Sequence, residues 1–141
     1  MFAPVTLSCG NPSGSATTRH LEGTIVETTY VGHASGELLQ QVADFAPTVF
    51  AAVPGVCWLV DASAITAVDA GAREPGASIF KLFRESKGRG FSFLLQPQHT
   101  ASIAARSMIR TVAVLSRVDI HIADTREDAL VHLRALQRKA R

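Results

Sequence analysis

The chain predicts an α/β fold: a mixed, mostly parallel sheet of roughly five or six strands with about four helices. Two apolar runs, Val56–Val60 and Phe91–Leu95, lack the polar alternation of a half-wet strand and read as central strands covered on both faces. Around them lie segments whose apolar residues recur at spacings of three and four, the period of an amphipathic helix. Strand and helix signals alternate along most of the chain, which implies parallel strands joined by right-handed crossovers.

Pro4–Ser8 is short, alternating and apolar, and the Gly10–Gly14 cluster ends it. The stretch GNPSGSATT, Gly10 to Thr18, lacks apolar content and reads as a loop. Residues 1–18 are therefore an extra N-terminal strand and loop on a single domain spanning 1–141. Thr24–Val31 favours a strand through Ile25 and the β-branched Thr24, Val26, Thr28 and Thr29, with Gly32 as its end. The N-terminal strands should add antiparallel neighbours to the sheet. From Ser35, a suitable N-cap, the residues Leu38, Leu39, Val42, Phe45, Val49 and Phe50 mark a helix. Pro47 should kink or split it, and Pro54-Gly55 ends it.

After the strand Val56–Val60, Asp61–Gly76 reads as a connection. Ile79, Phe80, Leu82 and Phe83 then form one helix face, with Lys81, Arg84 and Lys87 on the wet side. Gly88-Arg89-Gly90 should close that helix with residues that tolerate positive φ. Pro97 stops the strand Phe91–Leu95. In the third helix, His99–Ser116, the residues Ala101, Ala104, Ala105, Met108, Val112 and Leu115 should face inward and Arg106, Arg110 and Arg117 outward. Val118, Ile120 and Ile122 alternate with Asp119 and His121, which suits a strand near a sheet edge. Thr125-x-x-Asp128 is a capping box for a final helix that turns Ala129, Leu130, Leu133 and Leu136 to the core.

Composition limits the function classes. Apolar residues make up 47% and charged residues 18% of 141, enough for an ordinary core and against disorder. No apolar run approaches the roughly 18 residues of a membrane span. The opening MFAPVTLSCGNPSG has no basic n-region or apolar h-region, so no signal peptide is expected. Cys57 lies in an apolar run and Cys9 near a turn, and a small secreted scaffold would use more cysteine; the cytoplasm is the expected compartment. Residues 1–72 carry one basic and six acidic residues, net −5, while 73–141 carry 13 basic and six acidic, net +7. Such asymmetry marks either a nucleic-acid or anionic-membrane surface, or solvated helix faces interleaved in space. No aromatic residues interleave with Arg106, Arg110 and Arg117 or with the tail Arg138-Lys139-Ala140-Arg141, so no nucleic-acid partner is expected.

The sequence offers little catalytic chemistry. His20, His33, His99, His121 and His132 show no ligand spacing, so neither a metal nor another cofactor is expected. There is no G-x-S-x-G, P-loop or G-x-G-x-x-G, and Cys57 between Val56 and Trp58 reads as inert core. The expectation is a non-enzyme.

The most informative stretch is Val56-Cys-Trp-Leu-Val-Asp-Ala-Ser-Ala-Ile-Thr-Ala-Val-Asp-Ala-Gly71. It gives a buried strand, then Asp61, Ser63, Thr66 and Asp69 separated by apolar residues. This resembles the signature of the STAS family, which includes the bacterial anti-sigma-factor antagonists, and the order of elements matches it from about Arg19 to Leu136. The extra N-terminal strand suits the SpoIIAA-like branch of that superfamily. The resemblance implies a regulatory module that binds a protein partner, a second copy of the chain included. In the antagonists, a serine directly after the Asp is phosphorylated, bringing roughly −1.5 to −2 charges to a helix start. Here that position is Ala70, so the phospho-switch is not retained. The contact face should use Asp61, Ser63, Thr66, Asp69, Gly71, Arg73 and Ser78. Two alternatives stay open within that set. Ser63 and Thr66 either touch a ligand or satisfy turn backbone groups. Asp61 and Asp69 either form a carboxylate pair, or Asp69 caps the following helix or turn. The rival function is a small-molecule carrier, for a lipid or nucleotide, using the Ser63–Gly76 loop.

Overall fold

The computed structural model describes residues 6–96 and 99–139. The starting Pro4 of the first predicted strand and the stop at Pro97 fall outside them. Among the described residues, six strands form one sheet in sequence order. They are β1 (Thr6–Asn11), β2 (Gly14–Glu22), β3 (Ile25–Ala34), β4 (Cys57–Val68), β5 (Gly90–Leu94) and β6 (His121–Ala123). The first three pair antiparallel, and β3 through β6 pair parallel. The helices are α1 (Gly36–Ala52), α2 (Arg73–Glu85), α3 (Thr100–Leu115) and α4 (Arg126–Lys139).

Parallel strands that never reverse their order, joined by right-handed crossovers, must carry all their connecting helices on one face. The burial pattern follows. One cluster joins α1, α2 and α3 to Val26, Trp58, Val60, Phe91 and Phe93. A smaller one sets Ala129 and Leu133 of α4 against Ile25, Cys57, Leu59 and Ala123 on the opposite face. Successive strand residues point to opposite faces, and so β4 serves both clusters. Trp58 stacks on Phe91 at 5.5 Å between centroids, and Phe91 on Phe93 at 5.3 Å, while Phe50, Phe80 and Phe83 meet them at steeper angles. The indole N–H of Trp58 donates to Thr28 Oγ1 at 2.9 Å, and Thr28 shares a further bond of 2.7 Å with Thr18.

Both central strands, the Ser35 cap on Leu38 N and the Thr125 cap on Asp128 N lie where the sequence predicts them. The structure corrects several other expectations. Of the stretch Gly10–Thr18 only Pro12 and Ser13 lie outside strand, and β2 alternates, burying Ala16 and Thr18 and exposing Ser15 and Thr17. β3 passes through Gly32, whose φ of +81° accommodates an irregularity in the ladder, and ends at Ala34. α1 runs unbroken past Pro47, because that ring and its missing N–H lie on the exposed side while Ala46, Val49 and Phe50 are buried.

The α2 exit also differs. The left-handed residue is Lys87, at φ +58°, and neither Gly88 nor Gly90 has positive φ. Those glycines serve close approach instead: a Cβ on Gly88 would stand 2.2 Å from the Phe83 ring, and one on Gly90 2.4 Å from Leu136. On α3, Ala104 and Leu115 point outward, and Ser102 and Ala113 are buried instead. β6 occupies the sheet edge as expected, but only over three residues, leaving Val118 and Ile120 outside it.

Candidate functional site

The expected Asp61–Gly76 connection is mostly strand. β4 pairs with β3 as far as Val68 opposite Ala34, while its pairing with β5 stops at Asp61. Its last seven residues therefore project beyond β5, with Ala62 and Ile65 keeping their side chains buried. A 3-10 turn, Ala70–Ala72, follows, and α2 begins at Arg73. Ser78 thus lies in the second turn of α2 and not at its start.

These elements disperse the predicted residues. The Asp61 carboxylate accepts from the Ser63 backbone N–H at 3.0 Å and from the Ser63 hydroxyl at 2.6 Å, so the two form a local turn-like pair within the strand. Thr66 is exposed. Asp69 lies roughly 25 Å further along the chain than Asp61, and the two make no carboxylate pair. Nor does Asp69 cap the turn that follows it. Its Oδ1 accepts instead from the Gly36 N–H, at the start of α1, at 3.2 Å, and its Oδ2 lies 3.2 Å from His33 Nε2. Gly71 packs against Gly36 so closely that a Cβ on Gly36 would sit 2.7 Å from the Gly71 carbonyl oxygen. Asp69 and Gly71 therefore lock the end of β4 to the start of α1. From that fixed base Ala70, Arg73, Glu74 and Ser78 all stand exposed.

Beneath the same segment lies an apolar gap of about 100 Å³ between the sheet and α1, α2 and α3. Its floor includes Tyr30, Trp58, Phe91 and Phe93, and Val68, Ala72 and Gly76 close it toward the end of β4. Among the described residues, no charged side chain lines it. Burial pushes the Tyr30 phenol well above its ordinary value, so it stays neutral there.

The opposite face is polar in one row. Across paired strands run Arg19, Glu27, Leu59, Ser92 and His121. Glu27 is buried and accepts from Arg19 at 3.0 and 3.1 Å and from Arg126 of α4. Ser92 Oγ and His121 Nδ1 share a bond of 2.8 Å, and His121 Nε2 lies 3.8 Å from Asp128. The order Ser–His–Asp suggests nucleophilic catalysis, but Ser92 is 0% exposed and offers no path to a substrate. The imidazole satisfies a buried hydroxyl. His132 stacks on His121 at 4.0 Å, and among the described residues no group of three or more His, Cys, Asp or Glu is arranged to hold a metal ion. Burial raises the Cys57 thiol pKa, which keeps it protonated and unreactive.

Sequence reasoning missed His33 and Gly36 as partners of Asp69, and the aromatic floor of the gap. Ser35 carried a helix-start signal, but nothing local linked its neighbour Gly36 to a residue 33 positions away.

No protein-family model matches the chain, and no curated protein matches it. Solved structures do. An anti-sigma factor antagonist from Mycobacterium paratuberculosis aligns over 94% of this chain and 95% of its own, with a TM-score of 0.58 at 15% identity. An uncharacterized protein with a SpoIIAA-like fold from Shewanella loihica PV-4 aligns over 94% and 95%, with a TM-score of 0.54 at 12% identity. At such identities the likeness is one of architecture, and the chain has the STAS-type, SpoIIAA-like α/β fold.

Proposed function

We propose that the chain, acting as one unit over residues 1–141, is a non-catalytic regulatory module that binds a protein partner through the end of β4 and the opening turns of α2. The observation that carries this reading is the exposed set Ala70, Arg73, Glu74 and Ser78 on a base held by Asp69 and Gly71. A preorganised polar surface on a rigid element loses little entropy on binding. Support comes also from the fold, which an anti-sigma factor antagonist shares over nearly its whole length. Ala70 has no hydroxyl, so phosphorylation at that position does not control the contact. Asp61, Ser63 and Thr66, further back on β4, flank this face and do not form its centre. A second copy of the chain is one partner that it accommodates.

Arg73 and Ser78 can be changed without disturbing any hydrogen bond among the described residues, unlike Asp69. Affinity capture from extracts with the Arg73→Glu/Ser78→Glu variant should lose the partners that the parent protein retains, at unchanged melting temperature. Capture of every partner undiminished would contradict this face.

A second reading rests on the apolar gap: a carrier of a small apolar molecule. A nucleotide is disfavoured there, because its phosphates would meet no cation. An apolar ligand at 100 times its Kd should add about 2.7 kcal/mol of stability. A thermal-shift series with fatty acids and small aromatics, none of them raising the melting temperature, would remove this reading.

A further inference from the structure

We propose that the end of the molecule where α2 and α3 stop is a docking surface for an anionic phospholipid membrane. It would be held by Lys87 and Arg117, with Val114 and Leu115 as the apolar contact. The inference goes beyond the partner face, since Arg73 and Glu85 are opposite ends of α2.

The two helices terminate alike. Gly88 N–H donates to the Phe83 carbonyl at 2.9 Å, and Val118 N–H to the Ala113 carbonyl at 3.0 Å, each a six-to-one closure. That closure needs one left-handed residue, a position that glycine fills most easily because it has no Cβ. Here the residues are Lys87 and Arg117, each at φ +58°, and no other non-glycine among the described residues has positive φ. Left-handed backbone costs any residue that carries a Cβ, so each closure places a cation where glycine would sit more easily. A cation near a helix C-terminus is favourable in sign, but that does not account for the strained position. Both side chains are exposed, and among the described residues neither has an acidic partner within ion-pair distance.

Arg84 Nη1 donates to the Ser116 carbonyl at 3.2 Å and brings the two helix ends side by side. Beside them Val114 is 76% exposed and Leu115 79%. α3 contains no acidic residue, and Arg110 lies one turn back on the Val114 side. The carboxylates nearby are Glu85, 4.0 Å from Lys81, and Asp119; Lys81, Arg84, Lys87, Arg110 and Arg117 outnumber them. The large exposed apolar side chains of the described residues are all aliphatic. Bases of a single strand would need aromatic side chains to stack on, and the phosphates of a duplex would leave Val114 and Leu115 in water. Aliphatic side chains flanked by cations suit the boundary between headgroups and acyl chains of an anionic bilayer.

Co-sedimentation with phosphatidylglycerol–phosphatidylcholine vesicles, against phosphatidylcholine alone, tests the proposal without reference to any protein partner. The parent protein should bind the anionic vesicles only, and less as salt rises. A basic residue at an anionic surface is worth about a fivefold change, so Lys87→Gly/Arg117→Gly should bind roughly 25-fold more weakly. Its melting temperature should be unchanged or higher, because glycine relieves the backbone. Leu115→Ser should also weaken binding. Equal binding by the double glycine variant, equal binding to neutral vesicles, or no binding at all would overturn the proposal. So would polyglutamate or duplex DNA bound as tightly as the anionic vesicles.

Discussion

The two faces of the sheet solve the same covering problem in different ways. Under α1, α2 and α3 the strands present stacked and tilted rings, and the cover leaves an apolar gap. Under α4 they present a small aliphatic cluster closed on its flanks by charge: Glu27 between Arg19 and Arg126, and Glu22 against Arg134 at 2.5 Å. The difference comes from topology. Three crossovers must fall on one side, and their larger area takes the aromatic residues. A single helix on the other side cannot shield the whole face, and so buried polar groups there need partners. The dry side retains an apolar gap, whereas the polar side is internally satisfied.

Breaking the dry side should have the largest effect. Trp58→Ala removes the ring on which Phe91 stacks and should cost about 3–5 kcal/mol in denaturant unfolding. On the polar side, Glu27→Gln removes a buried carboxylate whose two arginine partners can turn to water; about 1–3 kcal/mol should be lost. A rise in denaturant midpoint on Glu27→Gln would show that this charge network opposes the fold. Gly76→Ala sharpens the contrast in the opposite direction. A Cβ there meets nothing within 4 Å, so the helix should gain about 0.5–1 kcal/mol.

The smallest effect concerns pH. Burial holds the His132 imidazole below its ordinary value of 6.5; the charges of His121 and Lys139 push the same way, and Asp128 opposes them. Below that pH the unfolded chain binds more protons than the folded one, so the contribution is complete above about 6.5 and is lost as pH falls through the depressed value. Melting curves of the parent protein and His132→Gln should converge as pH drops from neutral toward 5, and a constant offset would contradict this assignment.

What the sequence made legible follows from how local each signal was. Val56–Val60 and Phe91–Leu95 stand out because double-sided burial removes polar residues from the strand itself. β2 did not, since its buried positions are filled by Ala16 and Thr18, which look like loop residues until the register with β3 is known. The extension of β4 to Val68 hid behind Asp61, Ser63 and Thr66, polar residues that a strand projecting past its neighbour can leave exposed or paired locally. Asp69 was recognisable as a cap, but which helix it caps depends on the β3–β4 register. The gap was invisible for a related reason: it is space left by small residues such as Ala72, Gly76 and Ala105, brought together from separate elements. Lys87 was overlooked because the adjacent Gly88 and Gly90 looked like the natural left-handed residues.

The fluorescence of Trp58 bears most directly on the dry face, since the chain has one tryptophan and its ring lines the gap. Its emission should be blue-shifted, insensitive to iodide, and changed by saturable amounts of a small apolar aromatic in both the parent protein and Glu27→Gln. Ready quenching by iodide, or emission that no apolar molecule alters, would contradict that picture.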